Sequence, residues 1–390
     1  MTIDTFREEV RNWLGENFND EIKNAAEGSD ERKEWTRRLA AKGWVAPSWP
    51  KEYGGGGVSF QEHSALLQEF RAVGATMPPD NAGQGMSNVG PTILEFGTEE
   101  QKLRHLPGIA SGQVQWCQGY SEPGAGSDLA SLAAKAVLDG DNYVINGQKI
   151  WTSGADAADW IYVLVRTDPD APKHDGISLL LMDKNQPGIT VKPIQLISGN
   201  SPFCETFFDN AIASKDDLLG DKNQGWTIGK RLLQHERSGI AGMGASGATT
   251  KRKAPEEYYL AGLAKNYCGE TDGGKIADPT FRDEIIQQRL NERAFQLTLA
   301  RTREENASGK TLGFATSIFK KVGADQGMNA SVLQVQAMGS NGTGWEGDGF
   351  SAFELATTRG WLGARASSIA GGTNEVQMNI IAKRVLGLPD

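Results

Sequence analysis

Between residues 114 and 222 the chain changes its period. Short β-rich segments, Tyr143-Val144-Ile145, Trp160 to Val165, Ile177 to Met182, Ile189-Thr190-Val191 and Thr206-Phe207-Phe208, are separated by Asp-Gly, Asn-Gly and Pro-Gly pairs. Branched and aromatic side chains suit a pleated surface, and such pairs suit the tight turns between strands. Asn146-Gly147 is expected to form a two-residue hairpin turn. A block with this spacing predicts a small barrel or sandwich. Because it is inserted between helical halves, it fixes the fold class: an α+β multidomain chain, with an N-terminal helical domain over 1–113, a middle β-barrel or sandwich domain over 114–222 and a C-terminal four-helix bundle over 223–390.

The flanks carry helical spacing. Phe6, Val10, Trp13 and Leu14 share one face, and further apolar faces follow around Trp35 to Leu39 and Leu66 to Phe70. Breakers separate them at Tyr53-Gly54-Gly55-Gly56-Gly57 and Met77-Pro78-Pro79-Asp80. No Gly-Lys-Ser/Thr follows the glycine run, so it reads as a flexible connection rather than a phosphate cradle. Beyond Gly225, helices are expected at Trp226 to Ser246, Phe281 to Asn306, Ala315 to Met338 and Glu375 to Leu386, with breaks at Gly339 to Gly342 and Gly371-Gly372. The polar stretch 249–278 reads as one short helix, Glu256 to Asn266, plus a loop.

Length and charge narrow the function. A chain of 390 residues exceeds one compact core. A net charge of -9 argues against a nucleic-acid partner, which needs clustered lysine and arginine. No apolar run approaches the roughly 20 residues that cross a bilayer, and the start Met1-Thr2-Ile3-Asp4-Thr5 is unlike a signal peptide, so the cytoplasm is the expected compartment. Cys117, Cys204 and Cys268 are far apart, which suits reduced thiols used as small apolar side chains. His63, His105, His174 and His235 are isolated from one another, and no metal site is expected.

The chemistry is concentrated in two stretches. Gly119-Tyr120-Ser121-Glu122-Pro123-Gly124-Ala125-Gly126-Ser127-Asp128-Leu129-Ala130-Ser131 places three glycines and several hydroxyls between two expected strands. Glycines let backbone approach a flat or anionic ligand, and free N–H and O–H groups can donate to it; an ordinary glycine-rich loop reads the same way. The second stretch is Asn146-Gly147-Gln148-Lys149-Ile150-Trp151-Thr152-Ser153-Gly154-Ala155. Together they closely resemble the acyl-CoA dehydrogenase family, whose middle domain carries Glu-Pro-x-Ala-Gly-Ser-Asp followed by Asn-Gly-x-Lys-x-Trp-x-Thr/Ser. The resemblance extends over the whole length through the helical, β, helical order.

What the resemblance implies is an FAD enzyme that introduces a trans double bond between the α and β carbons of an acyl-CoA thioester. Ser121 falls where the family bonds the pyrimidine side of the flavin, and Trp151 where an aromatic ring covers the isoalloxazine. Thr152 belongs to the same cofactor stretch, and Ser153 falls where a hydroxyl residue faces the flavin N5. Ser127 corresponds to a contact with the CoA part of the substrate as well as belonging to the cofactor loop. Gln336, Gly339 and Gly342 resemble a turn near the FAD adenosine, although the same glycines also read as a helix stop. Thr373 and Glu375 fall near the same cofactor.

The reaction needs a base for the α proton and donors for the thioester oxygen. Many members carry the base in a C-terminal Tyr-Glu-Gly-Thr, but the matching residues here are Ala370-Gly371-Gly372-Thr373. A minority, including isovaleryl-CoA and long-chain dehydrogenases and actinobacterial subunits acting on steroid side chains, place a glutamate before an arginine on the first helix of the C-terminal domain. Glu236-Arg237 matches that position, which makes Glu236 the implied base and Arg237 a substrate-side residue. Small residues Gly239, Ala241, Gly242, Gly244 and Ala245 leave room beside it. The Gly371 backbone N–H is the implied donor to the thioester carbonyl.

One family feature is missing. Typical homotetramers carry an Arg-x-x-Phe-Gly segment that reaches FAD in a neighbouring subunit; here the place is taken by Ile276-Ala277-Asp278-Pro279-Thr280-Phe281-Arg282-Asp283. The implied assembly is a homo- or heterotetramer, including an α2β2 form, with an electron-transferring flavoprotein as electron acceptor. Two other readings stand beside the catalytic one: a subunit that completes a partner's flavin site, and an acyl-CoA oxidase. Bulky, branched, cyclic or steroid-linked acyl groups suit a glycine at 371.

Overall fold

The computed structural model describes residues 2–26, 28–75, 83–240, 258–307 and 316–389. The breakers at 77–80, the small residues at 241–245 and the expected helix start at Glu256 lie outside them. The chain divides into two compact units, Met1–Ile194 with Ser201–Ala248, and Gln195–Asn200 with Thr249–Asp390.

The first unit opens with α1 (Ile3–Asn17), α2 (Asp20–Asn24), α3 (Asp30–Ala41), α4 (Phe60–Val73), α5 (Gly90–Phe96) and α6 (Glu99–Ala110). Polar caps start several of them: Ser59 with Glu62 and Thr98 with Gln101 form reciprocal capping boxes, satisfying amides that a helix start leaves without partners. The apolar face of α1, Phe6, Val10 and Leu14, meets Trp35 and Leu39 of α3 and Leu66 and Phe70 of α4 in one core. Glu69 of α4 adds a buried-carboxylate link to Arg7 at 2.6 Å and Arg11 at 2.8 Å.

The glycine run is not a flexible connection. The amides of Gly54, Gly55, Gly56 and Gly57 donate to Lys51, Pro50, Ala46 and Trp49 carbonyls. A β-carbon at Gly43 would stand 2.6 Å from the Gly55 oxygen. The run is therefore a closely packed turn, and its donors are already used.

Among the described residues the middle region forms one mixed eight-stranded sheet. Its strands are β1 (Trp116–Gly119), β2 (Lys135–Asp139), β3 (Asn142–Ser153), β4 (Trp160–Arg166), β5 (Ile177–Asp183), β6 (Ile189–Ile194), β7 (Phe203–Ser214) and β8 (Leu218–Leu219). The order is β6-β7-β3-β2-β4-β5-β8, with β1 parallel to β4. Tyr162 and Leu164 of β4 join Leu179 and Leu181 of β5 in a core that includes Ile93 of α5 and Ile109 of α6. The intervening Ile161, Val163 and Val165 join Leu180 and Met182 in a second core on the other face. Strands buried on both faces read as continuous apolar runs, which is why these two were plain in the sequence.

Asn146-Gly147 is not the hairpin turn. The β2–β3 hairpin turns at Gly140-Asp141, with Asp139 opposite Asn142 and Gly140 at φ +60°. Asn146 and Gly147 lie inside β3, where the pairing with β7 slips. A β-carbon at 147 would stand 2.7 Å from the Ala134 Cα, so this glycine serves a close backbone approach at a bulge.

The sheet region leads into α7 (Gly225–Ile240), which buries Ile228 and Leu232 in the core shared by α5, α6 and β5. The second unit contains α8 (Tyr259–Cys268), α9 (Pro279–Ala307), α10 (Thr316–Met338), α11 (Ala352–Ala364) and α12 (Asn374–Ile380). Within it α10 packs against α8, α9, α11 and α12. Helix α11 is not among those expected from the sequence, although Ser351 and Glu354 form a capping box at its start.

Candidate active site

Two distant motifs meet through a buried ion pair. The loop after β1 closes a tight turn, Glu122 and Ala125 exchanging backbone hydrogen bonds of 3.0 Å. The Glu122 carboxylate accepts from the Ala133 amide at 2.7 Å, the Ala134 amide at 2.9 Å and the Lys149 ammonium at 2.8 Å. Lys149 donates also to the Tyr120 carbonyl at 3.0 Å, and it has no exposed surface. Burial pushes its proton affinity down, to about 8, against the opposing pull of Glu122. Neither residue was given a role from the sequence, though both stand in the quoted motifs. No local signal marks them, because their partners come together only in the fold.

Ser121 lies between these anchors. Its carbonyl accepts from the Ile150 amide at 2.8 Å, so residues 120, 121 and 122 are all tied to residues 149 and 150. Ser127 is exposed further along the loop, beside Asp128, which accepts from Ser131 at 2.6 Å.

Trp151 follows at once. Lys149 pairs with Thr206 and Thr152 with Cys204, so Ile150 and Trp151 oppose the single residue Glu205. At this bulge Trp151 takes φ +62° and leaves 53% of its surface exposed. A left-handed backbone is uncommon for a bulky side chain and persists only where the surrounding structure holds it, as at ligand sites. Thr152 is buried, and among the described residues its Oγ1 has no hydrogen-bond partner. Ser153 is half-buried and pairs with Phe203, whose ring meets Trp151 edge-on at 6.1 Å.

The α7 helix belongs to the same core as this loop. Tyr120, Ile228 and Leu232 are members of one buried cluster. The helix begins at Gly225, where a β-carbon would stand 2.5 Å from the Ser178 Cα. Glu236 falls four residues after Leu232 and eight after Ile228, continuing the stripe that carries those two buried residues. The side chains of Glu236 and Arg237 lie outside the described residues.

In the second unit, α10 stops at Met338 and Gly339 takes φ +57°, so the helix-stop reading of this turn is met. Gly342 is buried, and a β-carbon there would stand 2.6 Å from the Val335 oxygen. Gln336 is exposed. Gly371 and Gly372 take φ +68° and +91°, and the buried Gln377 amide donates to the Gly371 carbonyl at 3.0 Å. Thr373 caps α12 by accepting from the Val376 amide at 3.3 Å. Glu375 sits in the first turn, where a carboxylate is favoured, and hydrogen bonds from backbone and Thr373 hold it below the usual carboxylate range. Among the described residues no group of three or more histidine, cysteine or acidic side chains is placed to hold a metal ion.

Comparison with known proteins decides the family. The acyl-CoA dehydrogenase N-terminal, middle and C-terminal domain descriptions match residues 2–113, 117–211 and 223–386. The chain belongs to the acyl-CoA dehydrogenase family. This acyl-CoA dehydrogenase is 36% identical to acyl-CoA dehydrogenase IpdE1 of Mycobacterium tuberculosis, over 99% of its own length and 98% of the relative. It is 36% identical to FadE34 of the same organism, covering 90% of this chain and 45% of that one. Among solved structures it resembles the Tcur3481-Tcur3483 steroid ACAD, at 30% identity and TM-score 0.75, over 99% of this chain and 97% of the other. The ChsE4-ChsE5 complex from Mycobacterium tuberculosis gives 29% identity and TM-score 0.74, over 100% and 98%. The acyl-CoA dehydrogenase is thus an oxidoreductase of a family of FAD-dependent flavoproteins, with the helical, sheet, helical order expected from its sequence. Among its described residues no helix is long and apolar enough to cross a membrane.

Proposed function

We propose that this chain is itself catalytic, with Glu236 as the base that takes the α proton of an acyl-CoA thioester. The observation that carries this reading is the position of Glu236 on α7, four residues after Leu232 and eight after Ile228, both fully buried. An acyl chain and flavin packed beside a carboxylate desolvate it and raise its affinity for a proton. The other family position for the base holds Gly371, at φ +68°, a conformation that disfavours a side chain. Its N–H can serve the thioester oxygen, stabilising the enolate that forms as the proton leaves. Arg237 is assigned to the substrate side.

The residues present fit FAD. Trp151 offers an exposed ring on a strained bulge, the Thr152 hydroxyl is buried without a partner among the described residues, and Ser121 is held by its carbonyl and by the bonds of Tyr120 and Glu122 on either side. In this reading Ser121, Ser127, Trp151, Thr152 and Ser153 serve the flavin side and Gln336, Gly339, Gly342, Thr373 and Glu375 the rest of the cofactor. Bound FAD supplies the acceptor for the hydride that leaves the β carbon.

The proposed substrates are bulky acyl-CoA thioesters, with steroid-linked chains first among them. Support comes from Gly371, which leaves space where other members place a carboxylate, and from the likeness to a protein named a steroid ACAD. An assembly of two different chains is the proposed form, since two similar structures are named as pairs. An electron-transferring flavoprotein is the proposed acceptor and the cytoplasm the proposed compartment.

The test is the anaerobic visible spectrum of the purified protein, alone and with its co-purifying chain, on adding straight, branched and steroid-linked acyl-CoA thioesters. Bleaching by the bulky thioesters is expected. Bleaching by short straight chains only would contradict the substrate class, and a flavin that no member of the panel bleaches would contradict the catalytic reading.

A further inference from the structure

We infer that the buried Lys149–Glu122 pair is a positioning device for the flavin platform, holding Ser121 and Trp151 in place as one rigid unit. The inference rests on the reading of Ser121 and Trp151 as flavin contacts. It adds two residues to which that reading gave no part.

The geometry carries it. Lys149 bonds the Tyr120 carbonyl at 3.0 Å and the Glu122 carboxylate at 2.8 Å, one on each side of Ser121. Ser121 itself is bonded through its carbonyl to the Ile150 amide at 2.8 Å. The next residue is Trp151, at φ +62°. A single buried ammonium thus ties the loop to the strand within two residues of the exposed ring. On its other side Glu122 bonds the Ala133 and Ala134 amides at 2.7 and 2.9 Å. Ala134 is also the residue against which Gly147 packs, a β-carbon at 147 falling 2.7 Å from its Cα. The register slip at Gly147, where β7 carries the extra residue, the ion pair and the β3 bulge at Trp151 therefore form one connected brace.

A purely stabilising role would not call for ions. Removing a lysine from water costs several kcal/mol, and well-packed apolar side chains of like volume often serve stability as well or better. What an ammonium adds is direction: its donors reach a carbonyl and a carboxylate from one point. The depressed proton affinity of Lys149 agrees with that strain of burial.

The experiment compares Lys149→Met and the double variant Lys149→Met/Glu122→Gln in the full-length protein, in its native assembly. FAD affinity is read by quenching of flavin fluorescence on titration of the apoprotein, and global stability by urea unfolding. Lys149→Met leaves a buried carboxylate without its cation and is expected to lose both stability and FAD affinity. The double variant is expected to recover most of the stability while its FAD affinity stays at least about tenfold weaker, a difference of about 1.4 kcal/mol. Glu122→Gln alone, which keeps the shape of the site, takes their place if neither can be isolated and is expected to weaken FAD in the same direction. FAD affinity within about twofold of the unsubstituted protein, in the double variant or in its replacement, would overturn the inference. Trp151→Ala separates the two levels. Weakened FAD binding there, with normal binding in the ion-pair variant, overturns the positioning role alone; unchanged binding in Trp151→Ala overturns the flavin-site reading and this inference with it.

Discussion

Glu95 of α5 and Arg231 of α7 form an ion pair with the Arg231 Nε 2.8 Å from the carboxylate. His235, one helical turn later, stands 3.5 Å from the same carboxylate. Burial, then Arg231, holds His235 below the usual histidine range against the pull of Glu95. The pair is partly open to solvent, at 43% and 39% exposure, so its worth is under about 1 kcal/mol. Arg231→Met is therefore expected to shift urea unfolding by less than that amount. A loss of several kcal/mol would show that the pair does more than align two surface turns.

Gly225 should be far less tolerant. A β-carbon there would stand 2.5 Å from the Ser178 Cα and 2.7 Å from the Leu179 nitrogen, and neither backbone atom can rotate away. Gly225→Ala is expected to destabilise the protein by about 1–3 kcal/mol in urea unfolding. Because α7 would be pushed off β5, the reductive reaction should slow as well.

Acid should act on the N-terminal helices through Glu69. Its hydrogen bond from Arg11 first, opposed by burial and aided by Arg7, holds the carboxyl below the usual carboxylate range. A depressed folded-state value means that this stability is present above the unfolded value of about 4.3 and is lost as pH falls through the folded one. Unfolding free energy should thus fall below about pH 4.3, with a shallower slope in Glu69→Gln. Equal slopes would remove Glu69 from the acid response.

Much of this is legible in the amino-acid sequence. The runs Ile161 to Val165 and Ile177 to Met182 are buried on both faces, and their shortness and flanking turn residues made their strand character plain. The two motifs were legible through their likeness to the acyl-CoA dehydrogenase family, since glycines and hydroxyls alone read equally as an ordinary loop. Asn146-Gly147 misled because the same dipeptide serves a hairpin turn and a bulge, and only Ala134, close in space, tells them apart. The run Gly54 to Gly57 misled because Gly55 packs on Trp49 and Gly56 on Pro47 and Gly43, contacts that no local pattern displays. Lys149 was invisible as a brace since its partners, Tyr120 and Glu122, are fixed by the fold. The α11 helix was missed although its capping box, Ser351 with Glu354, is a local signal.

The most direct test of the central claim is the anaerobic rate at which bound flavin is reduced by a reactive acyl-CoA thioester, in the native assembly, with Glu236 intact and with Glu236→Gln. Loss of a general base predicts a fall of about 10²–10⁴-fold with the oxidised flavin spectrum and thioester binding retained. A Glu236→Gln protein that reduces its flavin within a few-fold of the unsubstituted rate would contradict the assignment and return the search for the base to another residue.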